Sequence, residues 1–223
     1  MTPKEKYQEE KDNLKNSRIS RILESAFELF AEKGIDNVTM TDIAAKAEIG
    51  VASLYRYFET KEEIAVQTSI WAWERQKSLI LPELLTDTFN NANGINQLSI
   101  IFSMFIKLYE NQVKFLRYIY FFDSYAVRIK MEKERLMDYE KTIESTKNVI
   151  AASISKGIED KSINSKYKES QDVLYFTLMH ALFSSAQKLS LSGDMLLMDE
   201  LVSGKQELEL LSALLLDALR VIK

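Results

Sequence analysis

Three consecutive side chains, Tyr55, Arg56 and Tyr57, form the most concentrated set of candidate functional groups in the sequence. An arginine side chain donates two hydrogen bonds to a guanine edge or pairs with a phosphate, and one such base contact is worth roughly 1–3 kcal/mol of discrimination. Lys61 follows at the expected start of a helix, where its ammonium group and the free backbone N–H groups both suit a phosphate. This set predicts contact with DNA. The alternative is that the two tyrosines only pack against neighbouring helices.

The sequence offers little for catalysis or metal binding. It contains one histidine and no cysteine, whereas zinc sites use clusters of those residues. His180 lies in the apolar run Leu178–Leu182, where a core or interface role is the ordinary interpretation and a hydrogen bond to a ligand is the alternative. No nucleophile and base stand at a defined spacing, and no glycine-rich phosphate loop is present. The sequence therefore predicts neither an enzyme nor a metal or cofactor site.

Two short helices joined by a tight turn are predicted to position the tyrosine–arginine cluster. Thr39 is an N-cap candidate with Asp42 three residues later, a spacing that satisfies the free backbone donors of a helix start. Apolar residues then recur at helical spacing until the run Glu48-Ile49-Gly50 interrupts them. The first short helix is predicted to end there, and the second to begin with Gly50 as its N-cap.

The second short helix is predicted to turn one face inward and to present the others. Leu54 and Phe58 are spaced i, i+4 and face the interior in this interpretation. At the start of the helix, Val51 and Ala52 suit contact with a thymine methyl group. Helix nucleation is costly, so two helices this short need a neighbour to pack on. A pair that packs on a support and presents a surface outward is the organisation of a helix-turn-helix.

The stretch from Ala47 to Ile64 resembles the DNA-binding signature of the tetracycline-repressor (TetR) family. That signature is ungapped and reads roughly A-G-V-S-x-G-T-L-Y-x-Y/H-F-x-x-K-x-x-L, and the head that contains it makes up about a quarter of this chain. Identical positions are Ala47, Leu54, Tyr55, Tyr57, Phe58 and Lys61, and similar ones are Ile49, Ser53 and Ile64. The resemblance implies an all-α protein with an N-terminal three-helix DNA-binding head. It implies DNA contacts from Thr39, Thr41, Gly50, Val51, Ala52, Ser53, Tyr55, Arg56, Tyr57 and Lys61.

Three positions depart from the family pattern. The family usually has Gly where Glu48 stands, at a turn that requires a positive φ, and a side chain there costs on the order of 1 kcal/mol. Gly50 stands where Ser is frequent and offers no hydroxyl to a phosphate, and Val51 stands where Lys or Arg is common. These departures predict a modest affinity for the operator.

Length and composition favour an all-α protein of one or two domains. The chain has 223 residues with only 6 Gly and 2 Pro, and its net charge is −4. Residues 1–61 hold ten Lys or Arg and eleven Asp or Glu, so phosphate binding depends on where individual cations lie. No apolar run reaches the roughly 18 residues of a membrane span, and the charged N-terminus lacks the apolar core of a signal peptide. We expect a cytoplasmic protein with no membrane partner.

A longer helix is predicted to support the two short ones. Residues 17–33 carry apolar side chains at strong amphipathic spacing, and Gly34 is the predicted stop. Residues 1–16 are predicted to be a frayed, solvated arm. The alternative is contact with the DNA backbone through Lys11, Lys15 or Arg18.

The rest of the chain is predicted to be a helical body. A capping box at Thr60 begins a helix expected to run to about Ile80 and to break near Pro82. Further helices are predicted at 95–110, 112–127, 128–156, 170–191 and 205–222, with loops at 90–94 and 157–169. We expect a DNA-binding domain at 1–60 and a ligand-binding and dimerisation domain at 61–223.

Aromatic residues are dense between positions 101 and 125, and hydroxyl groups are interspersed among them. For any one of them a place in the hydrophobic core is the ordinary interpretation. So many rings with polar anchors also suit a ligand cavity, which the resemblance places in the helices behind the head. The predicted pocket residues are Trp71, Phe102, Phe105, Tyr109, Tyr118, Phe121, Phe122, Tyr125 and His180, and the predicted ligand is a small apolar or aromatic effector.

The helices at about 170–191 and 205–222 are apolar over much of their circumference. Packing against the same helices of a second copy would cover them, and the alternative is burial within one subunit. A two-fold dimer also matches operator half-sites on successive turns of DNA. We therefore expect a homodimeric, ligand-responsive repressor that binds a palindromic double-stranded DNA operator. The alternative function is a helical adaptor whose head binds a protein partner or uses DNA only as a scaffold.

Overall fold

The computed structural model describes residues 2–192, 195 and 201–221. Helices joined by turns and loops make up that part of the chain, together with one isolated β-bridge between Ile163 and Arg220, which confirms the all-α prediction. The helices are α1 (Pro3–Lys33), α2 (Met40–Lys46), α3 (Val51–Leu54), α4 (Lys61–Leu84), α5 (Asp87–Asn91), α6 (Gly94–Asn111), α7 (Val113–Arg128), α8 (Lys133–Glu159), the 3-10 helix η1 (Ser165–Ser170), α9 (Gln171–Ser192) and α10 (Gly204–Leu219).

The chain forms two compact units. One consists of Met1–Ala72 and Tyr118–Tyr139, and we call it the head unit. The other consists of Trp73–Arg117 and Glu140–Lys223, and we call it the body unit. The boundaries fall inside α4, α7 and α8. The first half of α4 and the segment 118–139 therefore belong to the same compact unit as the helix-turn-helix.

Aromatic packing holds α7 in the head unit. Tyr118 is fully buried, and its ring centroid lies 5.5 Å from that of Phe27 and 6.1 Å from that of Phe30. Its hydroxyl donates a hydrogen bond of 2.6 Å to the carbonyl of Ala65 on α4. Burial raises the pKa of Tyr118 well above its usual value, so the hydroxyl remains a donor. Full burial of one large apolar side chain stabilises a fold by roughly 1.5–3 kcal/mol.

Helix α1 is longer than the sequence predicts. It begins at Pro3, and residues 3–16 continue it instead of fraying. The reason is a capping box, in which Thr2 Oγ1 accepts from Glu5 N–H at 3.3 Å and Glu5 Oε2 accepts from Thr2 N–H at 2.6 Å. The side chains of residues 4–16 are exposed, as predicted. At the other end, Gly34 stops the helix with φ at 75°.

Helix α4 also continues past its predicted end. Pro82 lies inside the helix, which ends at Leu84. A proline removes one backbone donor, and here the carbonyl left without it, that of Ser78, belongs to an exposed residue. Water is able to donate a hydrogen bond to that carbonyl, so the helix continues past Pro82 to Leu84.

The predicted loop at 90–94 is also shorter than expected, because α5 ends at Asn91 and α6 begins at Gly94.

The body unit is built around apolar residues of α5, α6, α8, α9 and α10 and of the loop that follows α8. They form a single cluster: Phe89, Ile95, Leu98, Ile101, Phe102, Ile150, Ile154, Ile163, Leu174, Tyr175, Leu178, Leu182, Leu216 and Leu219. Gly94 brings α6 close to α8, since a Cβ atom there would lie 2.1 Å from the backbone nitrogen of Gly157. The same end of α6 is capped by Asp160, whose carboxylate accepts from Gly94 N–H at 2.8 Å.

Gly94→Ala is expected to destabilise the protein. The added methyl group meets backbone that has no freedom to rotate away, and overpacking of that kind costs typically 1–3 kcal/mol. Gly50→Ser is the control, because no atom lies within 4 Å of a Cβ there and serine is a favoured N-cap. Urea unfolding of both variants measures the difference. Equal midpoints for Gly94→Ala and the wild type would contradict the close approach of α6 and α8.

Candidate nucleic-acid interface

The start of α2 is capped as the sequence predicts. Thr39 Oγ1 accepts from the N–H of Asp42 at 3.1 Å, and Asp42 Oδ2 accepts from the N–H of Thr39 at 2.8 Å. The Asp42 carboxylate accepts hydrogen bonds from the hydroxyl and the backbone N–H of Thr39. These bonds, together with the positive charge of Lys33, keep the pKa of Asp42 below its usual 3.8. Thr39 and Thr41 are exposed at this end of α2 and are therefore accessible to a ligand.

The turn between α2 and α3 has the positive φ that the resemblance described above implies. Glu48 adopts φ of 55° although it is not a glycine. The turn is closed by hydrogen bonds from Glu48 N–H to the Ala45 carbonyl at 3.1 Å and from Ile49 N–H to the Ala44 carbonyl at 3.0 Å. Ala44 and Ala47 are fully buried beneath it. Small side chains at those two positions allow α2 to lie close against its neighbours.

Helix α3 is a single turn of four residues that continues as hydrogen-bonded turns to Phe58. Gly50 is its N-cap and supplies no side-chain hydrogen bond. Leu54 is fully buried and Phe58 nearly so, which confirms their predicted inward direction. Val51, Ala52, Tyr55 and Arg56 are exposed, with Tyr55 at 51 % of its full accessible area, while Ser53 and Tyr57 are half-buried.

Hydrogen bonds between side chains orient two of the candidate DNA ligands. Arg56 donates to Ser53 Oγ at 2.7 Å, which directs its guanidinium group along α3. Arg18 on α1 lies 3.5 Å from the hydroxyl of Tyr57, at the outer limit for a hydrogen bond. Both arginines remain exposed, so both are accessible to a phosphate or a base.

Lys61 makes contacts within the head unit that sequence reasoning did not anticipate. Its ammonium group donates to the backbone carbonyls of Ile35 at 2.9 Å, Val38 at 3.0 Å and Asp36 at 3.4 Å. It also lies 5.9 Å from the ring centroid of Tyr125. These hydrogen bonds connect the start of α4 to the loop between α1 and α2. Contact between Lys61 and a phosphate stays a prediction, and in this structure its donors are engaged by the protein.

The predicted capping box at the start of α4 forms in part. Thr60 Oγ1 accepts from Glu63 N–H at 3.1 Å, as predicted. The carboxylate of Glu63 accepts from the N–H of Glu59 at 2.8 Å instead of from Thr60. The backbone N–H groups of Glu59 and Glu63 at this helix start therefore already donate to side chains of the protein.

The end of α7 binds to the same region of the head unit. The hydroxyl of Tyr125 donates to Glu62 Oε1 at 2.8 Å, and Arg128 forms an ion pair with Asp36. The pKa of Glu62 lies below its usual value, chiefly because its carboxylate accepts a hydrogen bond from the backbone N–H of Glu62 itself. The hydroxyls of Tyr125 and Thr60 lower this pKa further, while partial desolvation opposes the shift. Both α4 and the loop before α2 therefore have a direct contact with α7.

A surface cleft of about 570 Å³ adjoins the end of α3. Its lining residues are Tyr55, Arg56, Tyr57, Glu59, Thr60, Glu62, Glu63, Val66, Gln67 and Arg135. Arg135, on α8, is exposed and shares this cleft with Arg56 although the two are 79 positions apart in the sequence. No local motif marks Arg135, so sequence reasoning had no signal for it.

The nine predicted pocket residues are divided between the two units. Trp71, Tyr118, Phe121, Phe122 and Tyr125 lie in the head unit, and Phe102, Phe105, Tyr109 and His180 lie in the body unit. Tyr118, Phe122 and Phe102 are buried in the core of their own unit, which is the ordinary role weighed for such rings. His180 is exposed, with its ring 6.0 Å from that of Phe176. A pocket formed by these residues stays a prediction.

Sequence comparison places the strongest similarity in the head unit. Residues 22–68 match the family described as bacterial regulatory proteins, tetR family. The negative transcriptional regulator IcaR of the icaADBC biofilm operon in Staphylococcus aureus (strain Newman) is 36 % identical over 61 residues, which is 27 % of this chain and 33 % of IcaR. The chain thus spans about a third of the length of the curated relatives that it matches.

Structural comparison extends the similarity to the whole fold. The regulator FadR of Bacillus subtilis, solved in complex with stearoyl-CoA, superimposes with a TM-score of 0.64 at 14 % identity and covers 90 % of this chain and 99 % of its own. A putative fatty acid metabolism regulator of Clostridium perfringens has a TM-score of 0.64 at 22 % identity, with 91 % of this chain and 100 % of its own covered. At such identities the likeness concerns the fold.

Lys61→Met is expected to lower the free energy of unfolding, because it leaves the carbonyls of Ile35 and Val38 without their charged donor. Hydrogen bonds to charged groups contribute roughly 1.5–3 kcal/mol. Lys46→Met is the control: Lys46 is an exposed helical lysine with no side-chain hydrogen bond or ion pair within the described residues. Urea unfolding compares the two. If both variants unfold at the same midpoint, the Lys61 contacts do not stabilise the head unit.

Proposed function

We propose that the chain is a transcriptional repressor of the tetR family of bacterial regulatory proteins and that it binds a palindromic operator as a dimer. The match of residues 22–68 to that family supports the proposal. The observation that carries the proposal is the exposure of Val51, Ala52, Tyr55 and Arg56 on α3, a helix whose inward face is fully buried. The family comprises transcription regulators and not enzymes.

The geometry of α3 suits the major groove. A recognition helix contacts base edges with its first residues and phosphates with those that follow. Val51 and Ala52 are small, apolar and exposed at the start of α3, while Tyr55 and Arg56 are exposed one turn later. Arg56 is the residue that we propose for a base or phosphate contact. The hydroxyl group of Ser53 already orients it, so little conformational freedom is lost on binding.

Dimer formation is supported by exposed apolar side chains on the last two helices. Leu210 and Leu214 on α10 expose 62 % and 60 % of their area, one turn apart. Val173 and Phe176 on α9 are also exposed. Exposed apolar residues concentrated on one face mark an interaction surface more often than scattered ones do. We propose that this surface binds the same surface of a second copy around a two-fold axis.

An effector is proposed to act through the body unit. The Bacillus subtilis regulator of similar fold was solved with stearoyl-CoA, and its apolar acyl chain is of the chemical class predicted here from aromatic residues. We propose that an apolar or aromatic small molecule shifts the population of two orientations of α4, which alters the spacing of the two recognition helices. Helix α4 suits this role because it runs without interruption from Lys61 to Leu84.

Arg56→Ala is expected to weaken operator binding about tenfold to a hundredfold, the equivalent of one lost base or phosphate contact. The operator is first selected by the wild-type protein from random duplexes, and affinity is then measured by mobility shift at several salt concentrations. A repressor should select a palindrome and show a steep salt slope. Lys188→Ala, which removes one exposed positive charge from α9, is the control for net charge.

An adaptor would give a different result in the same assay. It would select no palindrome from the random duplexes, and Arg56→Ala would then change binding no more than Lys188→Ala. That outcome would contradict the proposed function.

Leu210→Glu together with Leu214→Glu is expected to convert a dimer into a monomer. Each leucine buried at an interface contributes roughly 1.5–3 kcal/mol, and two carboxylates facing their symmetry mates add repulsion. Leu14→Glu is the matched control, since Leu14 exposes 63 % of its area on α1. Light scattering coupled to size exclusion measures the mass. A double variant that remains dimeric at micromolar concentration would rule out α10 as the interface.

A further inference from the structure

The first half of α1 extends beyond the packed part of the head unit. It comprises residues 4–16, whose side chains are all exposed, and we call it the helical arm. The packed part of α1 begins at Ile22, which is fully buried. The arm is held in helical form by the capping box of Thr2 and Glu5 at one end and by the packed half of α1 at the other. It is therefore an ordered element whose side chains contribute nothing to a core.

Positive charges lie along one side of the helical arm and of the turn that follows it. An α-helix turns by about 100° per residue, so positions 4, 11, 15 and 18 fall within roughly 60° of one another around its axis. We call the residues at those positions the cation stripe: Lys4, Lys11, Lys15 and Arg18. The acidic residues of the arm all lie about 90° or more from the centre of this stripe: Glu5, Glu9, Glu10 and Asp12.

The packed half of α1 shows which way the cation stripe faces. Arg18 lies 3.5 Å from the hydroxyl of Tyr57, just after α3. Arg21, one turn after Arg18, forms an ion pair of 4.0 Å with Glu48, in the turn that precedes α3. The stripe therefore runs along the side of α1 that faces the helix-turn-helix, and the arm continues that side beyond the packed part of the head unit.

The lysines of the stripe are available to a partner. Lys4, Lys11 and Lys15 have no side-chain hydrogen bond or ion pair within the described residues. Lys11 and Lys15 are spaced i, i+4, a spacing at which like charges destabilise a helix by roughly 0.2–0.5 kcal/mol. Away from the stripe, the Gln8 amide donates to the carboxylate of Asp12 at 3.1 Å. An anionic partner would relieve the repulsion that the chain leaves uncompensated.

We infer that the helical arm binds the phosphate backbone of the DNA duplex beside the half-site, through the cation stripe. That a duplex is the partner rests on the proposed function. From residue 4 to residue 18 the helix rises about 21 Å, which is the length of roughly six base pairs, so one stripe reaches several phosphates. Such contacts add affinity without sequence preference. They compensate for the missing hydroxyl at Gly50 and the missing cation at Val51, the departures that predict a modest affinity.

An anionic membrane is the other polyanionic surface that suits a cationic helix. Helices that lie in a membrane interface bury a large apolar face among the lipids. The described part of the arm exposes two large apolar side chains, Tyr7 and Leu14, which is too few for such a face. The contact between Arg18 and Tyr57 instead makes the stripe continuous with the proposed DNA-binding surface. These observations favour DNA.

The test variant replaces Lys4, Lys11 and Lys15 by glutamine, which has a helix propensity close to that of lysine. Mobility shift at several salt concentrations is expected to show binding that is about tenfold weaker or more, on the selected operator and on a scrambled duplex alike. The slope of log K against log salt should fall in magnitude by about 3 for each arm, because three phosphate contacts are lost.

The control variant removes the same net charge from other places. Lys6→Gln takes one charge from the opposite side of the arm, and Lys168→Gln with Lys188→Gln takes two from exposed positions of the body unit. It should bind almost as tightly as the wild type, because salt screens charges that lie away from the duplex. Equal binding by the test and control variants, or a loss confined to the operator, would overturn the inference.

Asn16→Pro tests the direction of the stripe and keeps every charge. Asn16 is exposed and lies outside the stripe, and a proline inside a helix removes a hydrogen bond and kinks the axis. Binding is expected to weaken several-fold on both duplexes, while the urea midpoint stays that of the wild type because the kink precedes the packed part of α1. Binding as tight as that of the wild type would contradict a stripe that is placed by a continuous helix.

Vesicles of phosphatidylglycerol and phosphatidylcholine test the membrane alternative with the same variants. Wild-type protein retained on these vesicles, lost from them in the test variant, and unchanged on DNA by the same substitutions would assign the arm to a membrane and overturn the inference. The expected result is no retention that depends on the three lysines.

Operator selection separates a failure here from a failure of the proposed function. A wild-type protein that selects a palindrome, and whose test variant binds it equally well, disproves the role of the arm and leaves the repressor standing. A protein that selects no palindrome but binds random duplexes through the three lysines keeps the contact between arm and phosphate and loses the regulatory role.

Discussion

The outward surface of α3 depends on the burial of two side chains, Leu54 and Phe58. A helix of four residues has too few internal hydrogen bonds to hold an orientation by itself. The orientation of α3 is fixed because the side chain of Leu54 is fully buried in the head unit and the side chain of Phe58, in the turn that follows, is also buried. Once those two side chains are buried, Tyr55 and Arg56 have to face outward, since they lie between them on the opposite side of the same turns. The candidate DNA contacts thus follow from packing.

The region around α3 is held by polar contacts that join distant parts of the chain. Lys61 binds the carbonyls of the loop before α2, and Arg128 binds Asp36 in the same loop. Tyr125 binds Glu62 at the start of α4. A residue change near the end of α7 therefore acts directly on the loop before α2 and the start of α4. This explains why the segment 118–139 belongs to the head unit although it lies far from the helix-turn-helix in sequence.

The aromatic residues serve two different purposes that composition alone does not separate. Tyr118 and Phe122 are core residues of the head unit, where rings of the same unit surround them. In the body unit, the half-buried rings of Trp73 and Phe183 pack on the fully buried Phe115, and the indole N–H of Trp73 has no acceptor within the described residues. Sequence reasoning chose Trp71 as the tryptophan of the ligand site. That assignment stays a prediction; in this structure Trp71 packs on Phe27 of α1. Trp73 lies two positions further along the same helix and therefore faces a different side.

The sequence by itself determined the local features, because they depend on neighbours within a few positions. The Thr39–Asp42 cap and the inward spacing of Leu54 and Phe58 are of this kind, whereas the left-handed turn at Glu48 was implied by the family resemblance. Helix ends were less certain, as Pro82 shows, since solvent exposure decides whether a missing hydrogen bond is tolerated. Only the tertiary structure decided what Lys61 binds, that Arg135 lines the same cleft as Arg56, and that the amide nitrogen of Gln187 is buried with no acceptor among the described residues. Those facts depend on which surfaces meet after folding. Apolar periodicity in a sequence indicates that one face of a helix is buried, but it does not indicate which other helix covers that face.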